Sequence, residues 1–210
     1  MAFSELRKEY LKHKLDEADA SPDPFTQFGR WLDEAIARDQ PQANAMTLAT
    51  ATADGRPSAR LVLLKGWDAR GFVFFTNFTS RKAREIEANP RVTLLFAWID
   101  LERQVRIEGR VERAGADESD EYFHSRPVGA RRGAIASPQS QVIPDRSVIE
   151  RRIAELERNH GDAPPRPDYW GGYRVVPDLF EFWQGRESRL HDRLQYVQAG
   201  GAWRVERLAP

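Results

Sequence analysis

The chain has 210 residues, with 32 basic and 32 acidic side chains, four histidines and no cysteine. Zero net charge argues against a general nucleic-acid coat, and the lack of cysteine excludes a disulfide framework, a thiolate metal site and a cysteine nucleophile. No signal-type apolar run opens the chain and no stretch reaches the ~18 apolar residues of a membrane span, so a cytoplasmic protein with no membrane or nucleic-acid partner is expected.

Residues 1–22 are charged and weakly patterned, and read as a mobile arm or lid with one helical turn near Leu6–Leu15. A single domain over 23–210 is expected to follow. Asp23-Pro24 is an N-cap with proline at the first helical position, and Phe25, Phe28, Leu32 and Ile36 recur at helical spacing, which predicts an amphipathic helix over 24–39. From Ala45 the period changes to that of strands. Met46–Thr52, Ser58–Trp67 and Phe72–Asn77 are predicted strands joined by Asp-Gly and Arg-Gly turns. Thr79 or Ser80 caps a short helix that Asn89-Pro90 ends. Arg91–Trp98 reads as a strand buried on both faces, and Gln104–Glu112 as a half-exposed one. Helices are predicted over Asp117–Ser125, Gly129–Ala136 and Asp145–His160, then a stiff proline-rich connector. Strands close the chain at Gly172–Val176, Leu179–Gln184, Arg189–Val197 and Ala202–Leu208. This order predicts a mainly β, α+β fold: an antiparallel, Greek-key-like barrel decorated by helices.

Three places carry chemistry. As a strand, residues 189–193 place Arg189, His191 and Arg193 on one face, which suits an anionic aromatic ligand as well as a solvated edge. In Arg60-Leu61-Val62-Leu63-Leu64-Lys65 the four apolar residues suggest a strand buried on both faces, and Lys65 either snorkels to water or meets an anion. Thr76-Asn77-Phe78-Thr79-Ser80-Arg81-Lys82 joins a strand to a helix N-terminus, where backbone N–H groups, hydroxyls and two cations suit a phosphate. Tyr122 and Arg126 share a helix face. No nucleophile elbow, P-loop, dinucleotide fingerprint or metal spacing is found, which points to a bound cofactor as the carrier of the chemistry.

Taken together, Arg7-Lys8-Glu9-Tyr10, Arg60–Lys65, Thr76–Ala83, Glu102–Val105, Tyr122–Pro127, Gln139-Ser140, Trp170-Gly171-Gly172, Phe182–Arg193 and the closing Arg207–Pro210 resemble the pyridoxine/pyridoxamine 5′-phosphate oxidase family. The resemblance implies an FMN-binding split β-barrel. It also implies a homodimer with FMN at the interface and C-terminal strands that serve dimerisation. By it, Arg60, Leu63, Lys65, Phe75, Thr76, Ser80, Arg81, Lys82, Gln104, Gln139, Ser140, Trp183 and Arg193 would contact FMN. Lys65, Tyr122, Arg126 and the loop at Ala130 would take the substrate phosphate. Arg189 and His191 would face the pyridine ring as catalytic residues, and Arg7 and Tyr10 would close over the site. The implied reaction oxidises pyridoxine 5′-phosphate or pyridoxamine 5′-phosphate to pyridoxal 5′-phosphate, with hydride passing from C4′ to flavin N5 and O2 leaving as H2O2; from the amine, water hydrolyses the imine and releases ammonia. Ala130, where many relatives carry serine, Phe75, where some carry tyrosine, and Gln42, where an acid is common, depart from the pattern. Another flavin- or deazaflavin-dependent reductase on the same fold, or a non-enzymatic flavin or pyridoxal phosphate carrier, are the competing readings.

Overall fold

The computed structural model describes residues 9–210. Helix α1 spans Pro24–Ala37, with Asp23 accepting a hydrogen bond from the Thr26 amide. Phe25, Phe28, Trp31, Leu32 and Ala35 are its inward face. Ile36, predicted to join that face, is 58 % exposed, because Leu32 and Ala35 take the inward positions of the last turn.

Strands β1 (Ala45–Ala51) and β2 (Pro57–Leu63) form an antiparallel hairpin, with Gly55 at φ +87° in the turn. The predicted strand Ser58–Trp67 is in fact two. Leu64 N–H bonds to Asn44 O, whereas Lys65 N–H bonds to Val73 O, so the chain changes partner between them. Gly66–Asp68 is therefore a separate β3, paired with β4 (Gly71–Asn77). Because β2 lies at the sheet edge, it is not buried on both faces, and Leu61 is 72 % exposed.

Helix α2 (Arg81–Ala88) is capped by Ser80. Strand β5 (Arg91–Trp98) alternates rather than being buried throughout: Val92, Leu94, Phe96 and Trp98 face the core, and Ala97 is exposed. Strand β6 spans Arg103–Arg113, and helices α3 (Ala116–Ser125), α4 (Val128–Ala136) and α5 (Ser147–His160) follow. The two strands predicted over 172–184 are one strand, β7 (Trp170–Gln184), with a register shift opposite Glu108/Gly109. Gly109 is required there, since a Cβ would stand 2.2 Å from Val176 O. Strands β8 (Asp192–Ala199) and β9 (Ala202–Arg207) complete the sheet.

All pairings are antiparallel, in the order β2-β1-β5-β6-β7-β4-β3, with β8 on β7 and β9 on β8. The first half of β7 pairs with β4 and the second with β8. One strand thus serves two partners on the same side, and the sheet curls around a core of Phe28, Phe72, Phe96, Phe180, Phe182 and Tyr196. Over residues 9–15 the expected helical turn is not formed; the arm turns only at 16–20, where Ala20 N–H bonds to Asp16 O at 3.1 Å. Two amides of the earlier stretch go instead to carboxylates distant in sequence: Lys12 N–H to Glu102 at 3.1 Å and Leu15 N–H to Asp192 at 3.1 Å. Among the described residues no helix is long and apolar enough to cross a membrane.

Candidate active site

A cavity of about 970 Å³ opens between the β2 edge, the end of β4, the start of α2 and the α3–α4 segment. It gathers Arg60, Leu63, Lys65, Phe75, Thr76, Arg81 and Lys82 from the hairpins, and Tyr122, Arg126, Gln139 and Ser140 from the helical insert. Ser80 stands just behind it, fully buried, with its Oγ accepting the Ala83 amide at 3.4 Å.

Lys82 decides the character of one end. It is 8 % exposed, and its Nζ reaches only neutral oxygens: Thr76 Oγ1 at 3.1 Å, Gln139 Oε1 at 3.4 Å and Ser80 Oγ at 3.5 Å. Among the described residues no carboxylate pairs with it. Burial, then the charge of Arg60, lowers its pKa to about 8. A buried ammonium without a counter-ion is costly unless an anion joins it. The set Lys82, Arg81, Thr76 and Gln139 therefore fits a phosphate monoester.

A second cationic position lies on the side of the cavity formed by the helical insert. Phe75 and Tyr122 stack at 4.1 Å, and Trp170 continues the stack at 5.7 Å from Phe75. Lys65 Nζ sits 5.7 Å from the Tyr122 ring and the Arg126 guanidinium 4.8 Å from the Trp170 ring. Burial lowers the Arg126 pKa, and its Nη1 is buried without a hydrogen-bond partner. Phe75 has room to stack because residue 172 is glycine; a Cβ there would stand 2.9 Å from its ring. Ala130 lies in the first turn of α4 and its methyl supplies no hydrogen bond; of the cations that follow it, Arg131 donates to Asp162 O and Arg132 pairs with Glu157 and Asp162.

The other expected residues form a different cluster. Gln104, Trp183 and Arg193 are register neighbours across β6, β7 and β8, and line a separate cavity of about 360 Å³ beside Pro210. Arg193 donates to Glu181 at 2.8 Å and to Ala209 O at 2.9 Å. His191 lies 4.6 Å from Trp183, and Tyr10 packs edge-on against both. Arg189, His191 and Arg193 do not share a strand face. Glu187–Arg189 is a tight turn with Ser188 and Arg189 at φ +55° and +62°, and β8 begins only at Asp192. Arg189 is exposed on that turn. His191 Nδ1 accepts the Arg186 amide at 3.1 Å, which leaves the ring proton on Nε2. Burial and then Arg189 lower its pKa, with Asp192 opposing, so the neutral ring is favoured. Arg7 lies outside the described residues.

Trp170 and Glu85 were not among the expected site residues. Trp170 was signalled only as part of a Trp-Gly-Gly motif, and Glu85 only by its i, i+4 spacing from Arg81.

A curled antiparallel sheet with a basic cavity at its open edge defines the class of split-barrel proteins. Residues 32–160 match the family described as Pyridoxamine 5′-phosphate oxidase, and residues 170–210 match the Pyridoxine 5′-phosphate oxidase C-terminal dimerisation region. The chain is 61 % identical over 211 residues to the pyridoxine/pyridoxamine 5′-phosphate oxidase of Burkholderia multivorans, covering 99 % of each chain. It is 59 % identical to that of Bordetella petrii, covering all of both. Among solved structures, PhzG from Burkholderia lata, in complex with tetrahydrophenazine-1-carboxylic acid, superposes with a TM-score of 0.89 at 35 % identity, covering 95 % of this chain and 99 % of that one. An FMN-binding protein of Nostoc punctiforme shares the fold at a TM-score of 0.70 and 19 % identity, covering 90 % of this chain and 100 % of that one. The chain belongs to the pyridoxine/pyridoxamine 5′-phosphate oxidase family.

The Lys82 environment sets a pH dependence with two opposite signs. Its pKa in the fold, about 8, lies below the ordinary 10.5. Between those values the unfolded chain binds more protons, so this group makes the ligand-free protein more stable as pH rises. A phosphate monoester bound at Lys82 would need the ammonium, so affinity for such a ligand, with FMN as the probe, is expected to fall up to about tenfold per pH unit above pH 8. Flavin fluorescence titrations from pH 7 to 9.5 measure this; a constant Kd would remove Lys82 from the phosphate site.

Proposed function

We propose that this chain is a cytoplasmic, homodimeric FMN enzyme that oxidises pyridoxine 5′-phosphate and pyridoxamine 5′-phosphate to pyridoxal 5′-phosphate. The observation that carries this reading is the presence of two pairs of cationic side chains in one cavity, Lys82/Arg81 and Lys65/Arg126. One suits the cofactor's phosphate and the other the substrate's. The family's dimerisation region, the exposed Leu61 on the β2 edge and the separation of the Trp183–His191 cluster from the cavity support a site completed by a second copy.

FMN, when bound, supplies the hydride acceptor for substrate C4′ and passes the electron pair to O2, which leaves as H2O2. The chain's own residues orient and shield. Lys65, Arg126 and the Tyr122 hydroxyl fix the substrate phosphate, which anchors the ring at one end. The Arg189–His191 turn of the neighbouring subunit meets the other end. His191, neutral and held through Nδ1, presents an Nε2–H donor to the ring oxygen, and Arg189 adds a mobile cation. Tyr10, packed edge-on against Trp183 and His191, covers this face and keeps water out.

Arg126→Met tests the substrate position. The KM for pyridoxine 5′-phosphate is expected to rise ~10–100-fold, the worth of a charged hydrogen bond, with little change for unphosphorylated pyridoxine. An unchanged KM for the phosphate ester contradicts the assignment. A tetrahydrophenazine carboxylate, the ligand class of PhzG, belongs in the same assay as the competing substrate.

A further inference from the structure

Glu85 lies behind the cradle, at the junction of β1, β2 and α2, and its side chain is 5 % exposed. Its Oε2 accepts Thr50 Oγ1 and Ser58 Oγ, each at 2.5 Å, and Arg60 Nη2 at 3.3 Å. Its Oε1 accepts Arg81 Nε at 2.8 Å. Burial alone would push this carboxyl up, but hydrogen bonds from Ser58, Thr50 and Arg81 outweigh it and hold the pKa at about 2.

The two arginines are held differently. Arg60 gives Nη1 to Leu48 O at 3.1 Å and to Thr50 Oγ1 at 2.6 Å, and Nη2 to Ser58 Oγ at 2.5 Å as well as to Glu85. Among the described residues, of its five N–H donors only Nε–H has no partner. Arg60 is thus held rigidly while it lines the cavity. Arg81 is tied only through Nε, so both terminal nitrogens stay uncommitted among the described residues while the side chain lines the cavity. A guanidinium fixed at Nε presents its outer N–H pair as a fork, the geometry that suits two phosphate oxygens.

We propose that Glu85 is a positioning residue of the cofactor-phosphate site, aiming Arg81 and matching the charge of the cradle to a phosphate dianion. Arg60, Arg81 and Lys82 bring three cations, and Glu85 cancels one. The remaining excess equals the charge of a phosphomonoester near neutral pH, about −2. Without Glu85 the two guanidiniums repel across the hairpin, and Arg81, half exposed, swings into solvent. The inference rests on the reading of this end as the FMN phosphate site.

Glu85→Gln keeps the shape and removes the charge. FMN and riboflavin, which lacks the phosphate, are titrated into the FMN-stripped full-length dimer and followed by flavin fluorescence. The FMN Kd is expected to rise about tenfold or more, while the riboflavin Kd, measured at the higher concentrations it needs, stays within about twofold. On an Arg81→Ala background the same change is expected to cost little, because Glu85 acts through Arg81. Glu85→Asp, which keeps the charge but falls one methylene short of Arg81, is expected to show the same selective loss, and serves if Glu85→Gln does not fold. Equal losses for both flavins, an unchanged FMN Kd, or additive effects with Arg81→Ala would each overturn the inference. Wild-type protein that binds neither flavin overturns the FMN reading itself.

Discussion

Lys82→Met is expected to give a protein that is more stable than the wild type without cofactor and that purifies colourless. In the ligand-free fold Lys82 is a buried cation among neutral oxygens, with its pKa pulled down to about 8. Methionine has a similar length, needs no counter-ion and fills the same space. Replacing buried charge by well-packed apolar groups is often stabilising by ~1–4 kcal/mol, and a gain of about 1 kcal/mol or more in urea unfolding is expected here. The same change leaves a phosphate without its most buried partner. Truncating one member of a desolvated charge pair costs ~2–5 kcal/mol, so the FMN Kd is expected to rise ~30-fold or more. Opposite signs for stability and affinity mark a functional group. A loss of both together would make Lys82 a packing residue.

The second large effect comes from the separation of the two clusters. If each site takes its phosphate end from one subunit and the Arg189–His191 turn from the other, two inactive variants are expected to rescue each other. Lys82→Met homodimers lack every phosphate cradle, and Arg189→Ala/His191→Ala homodimers lack every catalytic turn. A purified heterodimer of the two has one doubly damaged site and one native site, as two-fold symmetry requires. Its turnover is expected to be about half that of the wild type, from parents lowered ~100-fold or more. A heterodimer as inactive as its parents would place the whole site within one chain.

Much of the cavity was legible because its residues cluster in sequence. The Ser80 cap, the two cations after it and the Tyr122–Arg126 helix face each lie within a few residues, and local rules reach that far. The reading failed where a pattern ran through a change of partner. The apolar run Leu61–Leu64 conceals the break at Lys65, which depends on Val73 offering its carbonyl. The alternation of Arg189, His191 and Arg193 runs through a turn whose positive φ values fall on Ser188 and Arg189, with no glycine there to announce it. A single helical turn near Leu6–Leu15 is what local pattern suggests in the arm, whereas the partners of its Lys12 and Leu15 amides, Glu102 and Asp192, lie 90 and 177 residues away. The role of Glu85 was hidden for the same reason, since three of its four donors come from the β1–β2 hairpin. The division of the residues expected to contact flavin between two clusters has no trace in the sequence at all, as it arises only when the sheet curls.

The most direct measurement is the visible spectrum of the FMN-loaded protein without oxygen, before and after addition of pyridoxine 5′-phosphate. The flavin band near ~450 nm is expected to bleach with both phosphorylated substrates. Pyridoxal 5′-phosphate forms as the band bleaches, and the band is expected to return on admitting air as O2 is reduced to an equal amount of H2O2. A flavin band untouched by pyridoxine 5′-phosphate and by pyridoxamine 5′-phosphate would contradict the proposed reaction.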